Sequence, residues 1–187
     1  MSKATIIFLS IAGFFVLAGL WLVGNYNSLV KSGTQVDKSW SMVETQYQRR
    51  LDLIENLVET VKGAQGQEQK VFKDIADARS AYAGSKSSSE QAAAAGNVES
   101  ALSRLLVITE AYPELKSNEN VKSLQADLGK TEDSIAKARD QYNTTASNYN
   151  LNIRRFPKNI FAKLFGFDPR SLFKSDVGSE KAPKVKF

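Results

Sequence analysis

Residues 36–61 read VDKSWSMVETQYQRRLDLIENLVETV. Val36, Trp40, Val43, Tyr47, Leu51, Ile54, Val58 and Val61 follow one another at steps of three or four residues. That spacing puts an apolar stripe down one face of an α-helix and leaves no period-two alternation for a strand. A long amphipathic helix must bury its stripe against something of the same kind. The fold is therefore decided by whether the rest of the chain supplies partner helices.

It does on the C-terminal side. After Gly63 and Gly66 the pattern resumes with Val71, Ile75, Ala78 and Tyr82. Each glycine costs a helix about 1 kcal/mol relative to alanine, so a bend at 63–66 is expected. Residues 84–89 (GSKSSS) read as a loop. Glu90 to Tyr112 forms a second helix with a seam of Val98, Ala101, Leu102, Leu105 and Ile108, and Pro113 ends it by disfavouring helical geometry in the residue before it. Ser117 or Asn118 caps a third helix, with Val121, Leu124, Leu128, Thr131, Ile135, Ala138, Tyr142 and Tyr149 on its seam, running to about Phe156 and stopped by Pro157. Short connections make such helices antiparallel neighbours. The expected fold is all-α: an elongated antiparallel bundle of three helices, or four if the first bends back at its glycines. The same heptad-like spacing suits a coiled-coil homo-oligomer as well.

On the N-terminal side, Ala4 to Val23 run for twenty positions without a charge, ATIIFLSIAGFFVLAGLWLV. At ~1.5 Å per residue this spans about 30 Å, the thickness of a bilayer's hydrocarbon core. The anchor-forming side chains are Ala4, Ile6, Ile7, Phe8, Leu9, Phe14, Phe15, Val16, Leu17, Trp21 and Val23, with Trp21 and Tyr26 at the end where amphipathic rings favour the headgroup layer. A cleaved signal has a shorter apolar region and a small-x-small site. Leu17-Ala18-Gly19 resembles the start of a lipidation box, but Leu20 stands where its cysteine belongs. A retained transmembrane helix is the expectation. Lys3 on one side is nearly balanced by Lys31 and Lys38 on the other. The charge rule therefore leans only slightly, toward an internal N-terminus and an exported body.

Composition narrows function. The chain has no Cys and no His, which removes thiolate nucleophiles, iron–sulfur clusters, thiolate zinc sites and the usual general base. It has no phosphate-cradling glycine motif. No catalytic, cofactor-binding or metal-binding residue is assigned; a non-enzyme is expected. The net charge of +5 is uneven: residues 151–187 hold nine cations and three anions, residues 1–150 sixteen cations and seventeen anions. Arg50, Glu110, Glu132 and Arg139 lie beside seam positions. They either form a solvated face or pair between helices and fix register.

The basic C-terminal segment has its own chemistry. Ile160, Phe161, Leu164, Phe165 and Phe167 crowd into eight residues, with Arg154, Arg155, Lys158 and Lys163 around them. Such a segment either lies in a membrane interface or folds back to cap the bundle. Nucleic acid is not expected as a partner, since no reading motif accompanies the cations. Residues 174–187 read as a disordered basic tail.

Several ordered motifs together carry a family resemblance. They are Tyr26-Asn27, RRLDLIENLVETVKG (49–63), Glu68, Ala78-Arg79, EAYPELK (110–116), Leu124-Gln125, Leu128, Thr131-Glu132, Ala138-Arg139, Tyr142-Asn143, Tyr149-Asn150, Phe156-Pro157 and Gly166-Phe167. With these the chain resembles the bacterial LemA family over almost its whole length. The resemblance implies a membrane-anchored helical bundle in the bacterial inner membrane, with no known catalytic residues, and an association with membrane remodelling or with envelope proteins. The division it suggests is a flank at 1–3, a transmembrane helix at 4–24, a bundle at 25–156, an aromatic segment at 157–173 and the tail. The functional expectation is a non-catalytic scaffold or adaptor. It would offer the loop Ala83–Gln91 and the turn Tyr112–Asn120 to an envelope protein. The alternative is a membrane-shaping protein acting by lateral self-association and by lipid contact of its Phe-rich segment.

Overall fold

The structure, a computed structural model, describes residues 3–64 and 69–173, apart from the side chains of residues 4, 6, 10, 63 and 64. The described residues are almost entirely helical and contain no strand. Six helices follow in order: α1 (Lys3–Ala64), α2 (Gln69–Gly84), α3 (Ser88–Ala111), α4 (Pro113–Ser117), α5 (Glu119–Arg154) and α6 (Lys158–Phe165). The expected break near Gly63–Gly66 falls between α1 and α2; residues 65–68 lie outside the described residues, as does the expected tail at 174–187.

Local chemistry explains the boundaries. Ser87 caps α3, its Oγ accepting from the Glu90 amide at 3.2 Å, while the Glu90 carboxylate accepts from the Lys86 amide. Ser88 and Ser89, read as loop from their composition, therefore sit inside the first turn of a helix. Pro113 is the first residue of α4, where its missing N–H leaves nothing unpaired. Of the two candidate caps for α5, Asn118 serves: its Oδ1 accepts from the amides of Asn120 and Val121. The turn expected at 116–118 is thus the end of a short helix plus a capping residue.

The chain forms two compact units, one of Met1–Ser39 with Asn143–Arg170, the other of Trp40–Tyr142 with Ser171–Phe187. In the second unit the remainder of α1 packs with α2, α3 and α5 as an antiparallel four-helix bundle. Arg79 of α2 pairs with Glu55 of α1 and Lys62 lies over the Phe72 ring, which nests the two helices about their joint. Tyr47 and Arg50 of α1 meet Arg139 and Glu132 of α5, again in antiparallel order. The stripe read from the sequence is the core: Val43, Tyr47, Leu51, Ile54, Val58 and Val61 are buried, and Leu57 joins them. Trp40 is only half-buried. In the first unit Leu29 and Val36 of α1, Ala146, Tyr149 and Ile153 of α5, and Phe161 and Ala162 of α6 are buried. Gly33 lies 3.7 Å, measured from an added Cβ, from the Tyr149 ring.

Candidate functional site

In the first unit the described side chains of the apolar run of α1 are largely exposed. Ile7, Phe8, Leu9, Phe14, Phe15, Val16, Leu17, Trp21 and Val23 are each more than half exposed. A Cβ added at Gly13, Gly19 or Gly24 would meet nothing within 4 Å. Exposed apolar surface on this scale, ~30 Å long and uncharged, is tolerated in a bilayer and not in water. With its length and composition, this makes the chain a membrane protein.

Where the run ends, α6 docks. Phe161 meets Trp21 edge-on at 5.7 Å between ring centroids, and Phe165 and Phe167 meet Tyr26 at 5.0 and 5.8 Å. Lys158 Nζ donates to Ser28 Oγ at 2.9 Å and to Asn152 Oδ1 at 3.3 Å. The helix then ends at Gly166, whose φ of 71° lets the Phe167 amide turn back to the Ala162 carbonyl. Arg170 closes the unit. Its amide donates to Asn150 Oδ1, its carbonyl accepts from Asn150 Nδ2, and its guanidinium pairs with Asp37 at 3.0 Å. Of the five aromatic and aliphatic residues singled out in this segment, only Phe161 is buried. Phe167 is half-buried, while Ile160, Leu164 and Phe165 are 55, 72 and 53% exposed.

In the second unit a polar seam runs through the bundle. Arg50 is buried, and its guanidinium bridges Glu99 of α3 at 2.6 Å and Glu132 of α5. Arg139 donates to the Tyr47 hydroxyl and lies over both the Tyr47 and Phe173 rings. Phe173 stacks on Trp40 at 5.5 Å and 14°, and Tyr142 meets both rings edge-on. The Tyr142 hydroxyl donates to the Ser171 carbonyl, and Trp40 Nε1 donates to Gln91 Oε1. Glu110 lies apart from this seam; it pairs at 3.0 Å with Lys116 across the Pro113 turn, both side chains largely exposed.

Burial pushes the phenols up: Tyr47, against the pull of Arg139, and Tyr82, whose buried hydroxyl meets no acceptor, both lie above the usual tyrosine range. Tyr149 is raised by burial too. The hydrogen bond from Arg79 holds Glu55 below the usual carboxylate range. None of these groups is a base poised near neutrality. Among the described residues no three His, Cys, Asp or Glu side chains gather to hold a metal. Glu99, Phe173 and Gln91 escaped the sequence reading because their partners are distant in the chain and no local spacing marks them.

Comparison with known proteins places these features. The sequence model of the LemA family matches residues 39–187. Two magnetosome proteins of Paramagnetospirillum magneticum (strain AMB-1), MamQ 1 and MamQ 2, are each 29% identical to this chain over 178 positions, covering 81% of it. MamQ of Magnetospirillum gryphiswaldense (strain MSR-1) is 29% identical over 172 positions, covering 78% of it. The chain spans 63–65% of the length of these relatives.

Proposed function

We propose that this chain, which belongs to the LemA family, is a non-catalytic, single-pass scaffold of a bacterial inner membrane that presents its helical bundle to an envelope protein. One observation carries the reading: α1 continues as a single helix from an exposed apolar run into the buried stripe of the bundle. Among the described residues, buried polar groups hold helices together, as Arg50 does with Glu99 and Glu132. The relatives are named as magnetosome proteins, which names no partner for this chain. The surfaces offered are the exposed residues around Lys86 and around the Pro113 turn. The body is assigned to the extracytoplasmic side on the small difference in flanking cations.

A photo-reactive residue placed at Lys86 or Lys116 in cells tests this. One stoichiometric protein adduct recovered from the membrane fraction is expected. Adducts only to copies of this chain, with tubulation of vesicles by the purified protein, would replace the scaffold with the membrane-shaping reading. Protease digestion of intact spheroplasts should remove a C-terminal tag; protection would reverse the orientation.

A further inference from the structure

We propose that α6 is a second membrane contact: a short helix lying in the headgroup layer of an anionic bilayer, held against α1 where α1 leaves the hydrocarbon. The inference rests on α1 spanning the membrane and adds a lipid-binding element to it.

Depth is the first argument. Every contact named above between α6 or Phe167 and α1 falls between Trp21 and Ser28. That stretch is about 10 Å long at ~1.5 Å per residue. From Ala4 to Trp21 the helix rises about 26 Å by the same measure, so Trp21 marks the far boundary of the ~30 Å core. Side chains docked on Trp21 and Tyr26 therefore sit at the boundary itself.

The second argument is which side of α6 remains open. Phe161 and Ala162 are buried. Ile160 and Leu164, four apart on α6, form a stripe that is 55 and 72% exposed, and Phe156 in the turn before the helix is 81% exposed. An eight-residue helix that merely capped the unit would turn its largest apolar groups inward. This one buries Phe161 against Trp21, itself exposed in the anchor, and leaves Ile160 and Leu164 open. Those open residues belong to a helix that touches the anchor at Trp21.

Charge supplies the third. Lys163 flanks the stripe, and Arg154 and Arg155 precede it, all three exposed. Apolar groups edged by cations suit a surface of anionic phospholipid, where short apolar stripes insert only to headgroup depth.

The absence of cysteine makes the test direct, because one introduced thiol is a unique label. The full chain is reconstituted into vesicles of phosphatidylcholine and phosphatidylglycerol after Leu164→Cys, Phe15→Cys or Gln35→Cys, and labelled with an environment-sensitive fluorophore. All three positions are exposed, so labelling leaves the packing intact. Gln35, twelve residues beyond Val23, is ~18 Å further along α1 and serves as the aqueous control. Quenching by lipid-attached nitroxides should be severalfold stronger at Leu164 than at Gln35, with Phe15 quenched by the deepest probes. Leu164 quenched no more than Gln35, with Phe15 still quenched, would overturn the role of α6 and leave the anchor standing. Phe15 unquenched would overturn both. In the Leu164→Cys chain, Lys163→Glu should lower the inserted population about fivefold or more, the loss of about 1 kcal/mol per cation at an anionic surface. No change on that reversal would overturn the anionic preference.

Discussion

Two tyrosines of the same bundle show how one atom's surroundings set the sign of a mutation. Tyr47 and Tyr82 are tilted against each other at 5.5 Å and both are buried. The Tyr47 hydroxyl accepts from Arg139; the Tyr82 hydroxyl is buried without a partner. An unsatisfied buried hydroxyl costs about 1–3 kcal/mol, a cost its removal relieves. Tyr82→Phe is therefore expected to raise stability by about 1 kcal/mol. Tyr47→Phe should lower it by about 1–3 kcal/mol, because it strips the half-buried Arg139 of an acceptor. Denaturant unfolding of the detergent-solubilised chain measures both, and equal effects of the same sign would refute the argument. Arg50 gives a similar asymmetry. It is the buried member of its cluster, while the Glu99 and Glu132 side chains are 33 and 51% exposed. Glu99→Gln with Glu132→Gln leaves a buried cation without an anion and should cost about 3–5 kcal/mol. Arg50→Met releases two carboxylates toward water, and the loss should be less than half of that. A larger loss for Arg50→Met would show that the guanidinium's hydrogen bonds outweigh its desolvation.

At the scale of elements, what was legible in the sequence follows from what is local. Apolar steps of three and four place α1, α3 and α5, since a helix's buried face depends on its own spacing. Caps were readable to within a residue or two: Asn118 was one of two candidates, whereas Ser87 lay hidden in a run of serines whose composition favours loop. Pairings between helices were less readable. Arg50 and Glu132 stand out beside their seams, but nothing near Glu99 announces that it reaches the same guanidinium, and nothing near Phe173 announces Trp40. In 157–173 one side of α6 is docked and the other is open. That docking depends on a left-handed turn at Gly166, where φ is 71° and an added Cβ would meet nothing within 4 Å. The cost of a side chain there is one of backbone alone, about 1–2 kcal/mol for alanine and less for asparagine, which tolerates that region. Gly166→Ala should lower the unfolding midpoint more than Gly166→Asn. The reverse order would mean that packing at 166, and not φ, sets the cost.

Across the whole molecule, the same groups set how stability depends on pH, and the two limbs differ. Glu55 and Asp127 are held below the usual carboxylate range by hydrogen bonds from Arg79 and Lys130. Their contribution is present above the unfolded value of about 4 and is lost as pH falls through their folded values. Both pairs sit in water, so the acid limb should be shallow and flattened by salt. The alkaline limb belongs to buried phenols. Tyr47, Tyr82 and Tyr149 all keep their protons beyond the range of an exposed tyrosine, chiefly because burial disfavours the phenolate. Above about pH 10 the unfolded chain loses those protons while the folded chain retains them, so unfolding becomes easier as pH rises. Each such proton contributes up to about 1.4 kcal/mol per pH unit, and three together up to about 4. The full chain in detergent should therefore hold a plateau through neutrality, decline gently in acid and fall steeply above about pH 10. Tyr82→Phe removes one titrating phenol, so its alkaline slope should be shallower by up to about 1.4 kcal/mol per pH unit. Identical alkaline slopes for the two chains would show that Tyr82 ionises alike in the folded and unfolded states, and that burial does not hold its proton.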